Sequence, residues 1–177
     1  MYPQNTTHKV SLQVSLNTPK SKVWDALYHR FGEVHKFNPL IECSHEISAS
    51  SKSANGVDCE RQCDLNSKGS KKLLERIVKM EESSDGKMSF FEVEIYDGSL
   101  PGMKNMYGRW TVTEVSATQT QAELELFYST KIRFLAPLMK LPMQANLKKV
   151  GFALKTYLEK GLEVGKHDFT EMKMRYA

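Results

Sequence analysis

Arg61 stands out against its surroundings in this chain of 177 residues. The positions that would share its face of a strand are otherwise apolar, namely Cys59, Cys63 and Leu65. A buried cation is costly unless a carboxylate neutralises it, so we expect such a partner nearby. Glu75 is the best candidate, because it shares a face of the next predicted strand with Leu73 and Ile77. We therefore predict that Arg61 and Glu75 meet inside the sheet.

This pair has two interpretations, and the sequence alone leaves both open. Inside the sheet, the two charges would form a polar anchor that orients the head group of an otherwise apolar ligand. Alternatively, both side chains extend to the rim of the sheet, bury only their stems and form an ordinary surface pair.

Five further side chains could contact a ligand: His35, Asn38, Tyr107, Arg109 and Tyr128. The pKa range of His35 suits proton transfer, but no activating partner is fixed by the sequence and a surface histidine is the more common case. The hydroxyl of Tyr128 could contact a ligand or bond to the backbone, as in a core tyrosine. Catalytic residues therefore stay unassigned.

The three cysteines, Cys43, Cys59 and Cys63, lack the spacing of a metal site. Cys59 and Cys63 would lie about 13 Å apart on one strand, which is too far for a disulfide. We interpret them as reduced core side chains; a reactive thiol beside a base is the less common alternative. The sequence also lacks a Ser/His/Asp arrangement, a phosphate loop and a nucleotide fingerprint, so no cofactor and no metal ion are expected.

Most of the segments that would position these residues are predicted strands. Residues 8–16 alternate apolar and polar side chains, which is typical of a strand with one buried face. Residues 19–30 predict a helix with Pro19 in its first turn, and residues 33–37 predict a second short helical turn. Short turns then separate six further predicted strands, which indicates an antiparallel meander: 40–49, 57–65, 71–80, 88–96, 107–115 and 121–132.

A long amphipathic segment at residues 136–164 predicts a helix after the last strand. Its apolar residues recur at helical spacing, namely Met143, Leu147, Val150, Leu154, Leu158 and Leu162. Such a helix is long enough to cover a sheet, at roughly 30 Å. A cylinder laid against a strongly curved sheet does not fill it, so this order of elements predicts an internal cavity.

Strand alternation and helical spacing select the side chains that would face this cavity. The predicted ligand-binding residues are Arg61, Glu75, Phe91, Val93, Trp110, Leu126, Tyr128, Met143, Leu147 and Val150. Trp24 and Trp110 are more often core residues than ligand platforms. Methionines at 139 and 143 and in a predicted loop at 102–106 would suit a gate, although irregular core packing is the stronger interpretation. Gly98, Pro101 and Gly102 would let that loop move as a lid.

Composition narrows the class of protein. Apolar residues make up 40% of the chain, and 25 basic residues are mixed with 21 acidic ones, so nucleic acid is not implied. The basic residues between positions 68 and 79 favour a solvated strand face. No apolar stretch is long enough to span a bilayer, and residues 1–9 lack the hydrophobic core of a secretory signal. We expect a cytoplasmic protein without an integral membrane segment; a transient membrane contact stays open.

We expect one domain over residues 1–177, with a core at 8–164. Residues 165–177 are charged and lack a core pattern, which indicates a frayed helical extension or a mobile end.

Several short motifs occur in order along the chain: residues 23–27 (VWDAL), 37–39 (FNP), 56–57 (GV) with Arg61, 74–77 (LERI) and 107–112 (YGRWTV). Together with the order of elements, they resemble the Bet v 1-like superfamily (SRPBCC), in particular its polyketide cyclase/dehydrase and lipid-transport branch with START-related domains. The resemblance covers about residues 10–163. It implies an α+β helix-grip fold, in which a seven-stranded curved antiparallel sheet wraps around the C-terminal helix and encloses a cavity for apolar or amphipathic molecules.

The expected function is binding or transport of a hydrophobic or amphipathic small molecule, such as a lipid or polyketide, inside this cavity. The alternative is an enzyme similar to a polyketide cyclase or dehydratase, acting in the same cavity without a cofactor. The absence of a linear catalytic motif favours the first. A module whose open cavity rim engages another protein is a weaker third hypothesis.

Overall fold

The computed structural model describes residues 8–47, 56–98 and 102–169. The predicted loop at 48–55, the centre of the predicted lid at 99–101 and the end of the tail at 170–177 lie outside the described residues. The strands are β1 His8–Leu16, β2 Cys43–Glu46, β3 Glu60–Asp64, β4 Lys72–Glu82, β5 Met88–Gly98, β6 Met103–Ser116 and β7 Gln119–Thr130. They form one antiparallel sheet in the order β1-β7-β6-β5-β4-β3-β2.

Short helices follow the first strand, and a long helix follows the last strand. Helix α1, Lys20–Trp24, continues into a π-helical turn at Asp25–His29, and a 3-10 helix follows at Phe31–Lys36. After β7, a 3-10 turn at Arg133–Leu135 leads into the long helix α2, Ala136–Lys160. The predicted α+β helix-grip architecture is confirmed: seven antiparallel strands, short helices after β1 and a long helix after β7. Among the described residues, no helix is long and apolar enough to cross a bilayer.

Helix α2 lies directly against β1 near Gly151. A Cβ atom at this position would come within 3.0 Å of the methyl groups of Leu12 and Val14, so a larger side chain has no room there. Leu12 and Val14 share a face of the sheet with their partners Leu124 and Ala122, so α2 lies against this concave face.

A solidly packed part of the interior lies beneath α1 and the π-helical turn. Trp24 stacks on Tyr28 with ring centroids 4.7 Å apart, and both rings contact Phe91, at 5.7 and 5.3 Å. Offset and edge contacts of this kind are favourable between aromatic rings. Phe91 therefore belongs to the packed core.

Several predicted boundaries were wrong, and three of the differences have a clear local reason. Strand β2 is shorter than 40–49, because the amide of Ile41 bonds to the carbonyl of Asn38 at 3.0 Å and closes a turn before it. Strand β6 begins at Met103, so the residues from 103 to 106 lie in a strand and not in a loop. Helix α2 ends at Lys160 and not at 164, because Gly161 adopts φ 69° and terminates it.

The chain beyond α2 returns to the body of the protein. Val164 is fully buried, and its amide donates to the carbonyl of Lys36 at 2.8 Å. Further along, the ring of Phe169 packs edge-on against that of Phe152, with centroids 5.8 Å apart. The first residues of the predicted tail thus pack against the folded core.

Candidate functional site

A cavity of about 310 Å³ lies between the concave face of the sheet and the first half of α2. The predicted internal space is therefore present, near the lower end of the range of roughly 300–1,000 Å³ that ligand pockets occupy. Most of its lining is apolar. Helix α2 contributes Met139, Met143, Asn146, Leu147 and Val150, and the connection before β2 contributes Val34, Phe37, Asn38, Leu40 and Ile41.

The sheet forms the opposite wall through residues of five strands, β3 to β7. Val93 on β5, Trp110 on β6 and Leu126 on β7 all line the cavity, as strand alternation predicts. Gly108 lies between them: it pairs with Val93 on one side and Leu126 on the other. Because Gly108 has no side chain, the wall is recessed at this point.

Arg61 and Glu75 form the charged part of the wall. They are directly opposite each other on β3 and β4, and they are only 8% and 6% exposed. Both Nε and Nη2 of Arg61 bond to Oε2 of Glu75 at 2.5 Å. The predicted meeting inside the sheet is thus confirmed, and the alternative of a surface pair is wrong.

Further contacts hold the guanidinium in place. Nη1 of Arg61 donates to the carbonyl of Phe31 at 2.8 Å, and Cζ lies 3.9 Å from the centroid of the Phe31 ring. A cation over an aromatic face is attracted by the ring quadrupole. The 3-10 helix after α1 therefore fixes the orientation of Arg61.

Within the described residues, Glu75 uses one of its two carboxylate oxygens. Oε2 accepts both bonds from Arg61 and lies 3.8 Å from the thiol sulfur of Cys63. In the part of the chain that the structure describes, Oε1 has no hydrogen-bond donor. Burial and the negative charge of Glu75 raise the pKa of the Cys63 thiol, so this thiol is protonated and not a nucleophile.

Asn146 is a cavity residue that the sequence analysis missed. It faces the cavity from α2, and among the described residues its side-chain amide has no hydrogen-bond partner. Its position could have been inferred, because Met139, Met143, Asn146 and Val150 are spaced by four, three and four residues and share one helical face. Asn146 is the polar member of this otherwise apolar face, so hydrophobic periodicity alone does not select it.

Two of the predicted ligand-binding residues do not line the cavity. Phe91 lies in the packed core beside Trp24 and Tyr28. Tyr128 is fully buried and its hydroxyl donates to the carbonyl of Ala136 at 3.0 Å, as in a core tyrosine. The other eight line the cavity together: Arg61, Glu75, Val93, Trp110, Leu126, Met143, Leu147 and Val150.

His35 lies outside the cavity lining and has a structural partner. Its Nδ1 is 2.8 Å from Oγ of Ser44, and that hydroxyl donates to the carbonyl of Gly32 at 2.7 Å. Because the hydroxyl proton is used by Gly32, Nδ1 of His35 must be the donor to Ser44. His35 thus joins the 3-10 helix to β2.

Tyr107 and Arg109 lie on the convex face of the sheet, away from the cavity, and both bond to Glu92. No group of three or more His, Cys, Asp and Glu side chains within residues 8–47, 56–98 and 102–169 could hold a metal ion.

Comparison with known proteins gives structural matches only. Neither the protein-family models nor the curated sequences match this chain. A START superfamily protein from Mycobacterium smegmatis superposes with a TM-score of 0.68 and 14% identity, over 87% of this chain and 99% of that chain. Zhui aromatase/cyclase from Streptomyces sp. R1128 superposes with a TM-score of 0.62 and 14% identity, over 89% of this chain and 99% of that chain. The di-domain ARO/CYC protein BexL superposes with a TM-score of 0.62 and 15% identity, over 84% of this chain and 45% of that chain.

The chain has the START-like helix-grip fold. The resemblance predicted from the sequence is therefore confirmed at the level of the fold, and at these identities the likeness shows the fold alone. Within the helix-grip fold of this chain, the cavity occupies the space between the sheet and the long terminal helix.

Proposed function

We propose that this protein binds and carries a hydrophobic or amphipathic small molecule, such as a lipid or polyketide, in the cavity between the sheet and α2. The observation that carries this proposal is an apolar cavity of about 310 Å³ with a buried Arg–Glu pair in its wall. Pockets for small molecules typically combine an apolar lining with a few fixed polar groups.

The bonding state of the polar groups supports a role in ligand binding. A buried ion pair is often no more stabilising than an apolar pair of the same size, so stability alone is a weak reason for it. Oε1 of Glu75 can accept a hydrogen bond from a ligand hydroxyl. The amide of Asn146 can donate to or accept from a second polar group. The apolar body of the ligand would then contact Val93, Trp110 and Leu126.

The second candidate is a cyclase or dehydratase that acts in the same cavity. Oε1 of Glu75 also favours this function, because such a reaction needs a group that can accept a proton from the bound molecule. Two of the structurally similar proteins carry an aromatase/cyclase description. Release of a chemically altered molecule by the wild type, and its loss in Glu75→Gln with binding retained, would favour the enzyme over the carrier.

The test of ligand binding uses a change that fills the recess at Gly108. A Cβ atom there meets Leu126 and Leu124 at 3.4 and 3.9 Å, which is ordinary contact, so Gly108→Val should fold and project into the cavity. We expect native mass spectrometry of the wild type, purified from its host, to show a retained organic molecule. Gly108→Val should lose most of it.

The matched control is Thr111→Val, on the same strand but on the opposite face. It adds a valine to β6 without entering the cavity, so it should retain the molecule as the wild type does. Repeated recovery of an empty wild-type protein, or equal retention by Gly108→Val with an unchanged melting temperature, would contradict the proposal.

A further inference from the structure

Large apolar side chains are exposed in a cluster where β7 leads into α2. We name this cluster the apolar tip; its members Ile132, Phe134, Leu138 and Leu141 are 48%, 74%, 67% and 80% exposed. The last three are the most exposed large apolar side chains among the described residues. Single exposed apolar residues are common, but a contiguous group usually marks an interaction site.

The apolar tip borders the cavity. Leu138 and Leu141 lie on the solvent side of the first turns of α2, while Met139 and Met143 on the adjoining side line the cavity. At the other end of the tip, Met103 pairs with Thr130, just before Ile132, and Met103 is also a cavity residue. A surface that covered the tip would therefore lie close to the bound molecule.

The charge around the tip is of one sign. Residues 126–158 contain six of the 25 basic residues and none of the 21 acidic ones. Lys131 and Lys140 are exposed beside the tip, and Lys148 and Lys149 are exposed further along α2. Elsewhere in the chain, basic and acidic residues are mixed. The tip is thus an apolar surface surrounded by positive charge.

We propose that the apolar tip inserts into the interface of a membrane that contains anionic lipids, and that the surrounding lysines bind the lipid phosphates and carboxylates. An apolar face with flanking basic residues is the combination that binds such membrane interfaces. The side chains of the apolar tip project outward from the start of α2, whereas a peptide-binding site would be a groove. In this position the cavity would lie beside the bilayer, where apolar molecules dissolve. The purpose of the contact rests on the proposed function, but the contact itself can be tested separately.

The experiment measures co-flotation of the full-length protein with two kinds of vesicle, phosphatidylcholine alone and phosphatidylcholine mixed with phosphatidylserine. We expect binding to the anionic vesicles, decreasing as salt is added because the charges are screened. The triple variant Phe134→Ser/Leu138→Ser/Leu141→Ser should bind at least about tenfold more weakly, because it removes three apolar side chains from the interface. All three are exposed, so its melting temperature should not fall.

The control variant is Val115→Ser, which removes an exposed apolar residue near the turn between β6 and β7 and should bind as the wild type does. A second variant, Lys131→Glu/Lys140→Glu, keeps the tip but reverses two charges, and it should lose the preference for anionic vesicles. The proposal is overturned if the wild type fails to float, if the triple variant floats equally well, or if neutral and anionic vesicles bind alike. It is also overturned if the triple variant changes only self-association in gel filtration, because the tip would then be a protein contact.

The cavity variant separates this inference from the proposed function. If Gly108→Val loses the retained molecule but still binds anionic vesicles, both proposals stand. If the wild type binds vesicles but is always empty, the membrane contact stands and the carrier function fails. If a molecule is retained but no vesicle binds, the membrane contact fails.

Discussion

Among the Arg–Glu pairs that join neighbouring strands of this sheet, two contain a buried glutamate, and they lie on opposite faces. Arg61 and Glu75 lie on the concave face, and Arg109 and Glu92 lie on the convex face. Both glutamates are almost completely buried, at 6% and 5% exposure. The two pairs thus share their chemistry, their burial and their cross-strand arrangement, and they differ in what surrounds them.

The convex pair uses both carboxylate oxygens within the protein. Oε2 of Glu92 accepts a bond from the hydroxyl of Tyr107 at 2.5 Å, and Oε1 accepts bonds from Nε of Arg109, at 2.9 Å, and from its Nη2. Cζ of Arg109 lies 4.9 Å from the centroid of Phe90, which covers the pair. On the concave face, by contrast, the described residues leave Oε1 of Glu75 without a donor. The described residues thus satisfy both oxygens of the convex carboxylate but only one oxygen of the concave carboxylate, and the second concave oxygen is where the proposed ligand would bond.

The largest expected effect comes from breaking the concave pair. Arg61→Met leaves a buried carboxylate without its cation, which should reduce the free energy of unfolding by about 3–5 kcal/mol. Urea denaturation measures this change. In the matched variant Arg109→Met, Glu92 keeps its bond from Tyr107, so the loss should be smaller, about 1–3 kcal/mol. Equal losses in the two variants would contradict the distinction between the pairs.

Replacing both charges of the concave pair separates stability from binding. Arg61→Met/Glu75→Leu exchanges the ion pair for apolar side chains of similar size, and its free energy of unfolding should lie within about 1–2 kcal/mol of the wild type. Retention of the bound molecule, measured by native mass spectrometry, should be lost, because the polar anchor is gone. If this stable double variant retained the molecule as well as the wild type does, the concave pair would be structural only.

The smallest effect concerns the pH dependence of the convex pair. Burial alone would raise the pKa of Glu92, but the hydrogen bonds from Tyr107 and Arg109 outweigh it and lower this pKa below its ordinary 4.5. The charged form therefore stabilises the folded state above about pH 4.5, and this contribution is lost as the pH falls through the lowered pKa.

Glu92→Gln should accordingly cost about 1–3 kcal/mol at neutral pH and progressively less below pH 4.5. Urea denaturation of both proteins over this range checks the prediction. A difference between wild type and variant that stayed constant down to the lowest pH would show that the charge of Glu92 contributes nothing.

Alternation along the strands explains why so much of the cavity wall could be predicted. Arg61 and Glu75 were found by counting in steps of two, and the same count from Trp110 places Tyr107 and Arg109 on the opposite face. Their place on the convex side could therefore have been inferred from the same alternation.

Irregular backbone explains most of what could not be predicted. Phe37 and Ile41 reach the cavity from the residue after a 3-10 helix and from a turn, where no regular period relates the sequence to the direction of a side chain. The packing of residues 165–169 against the core also lacked a pattern. The early end of α2, in contrast, had a visible signal in Gly161, since glycine commonly terminates helices.

The close contact at Gly151 makes the size of the cavity depend on a residue outside its lining. Leu12 and Val14 meet the backbone of α2 there without any intervening side chain, so this point sets the distance between helix and sheet. Even alanine at position 151 would force the helix or these side chains to shift by a few tenths of an ångström. The volume of the cavity is therefore set by the position of α2 against β1 as well as by the side chains that line it.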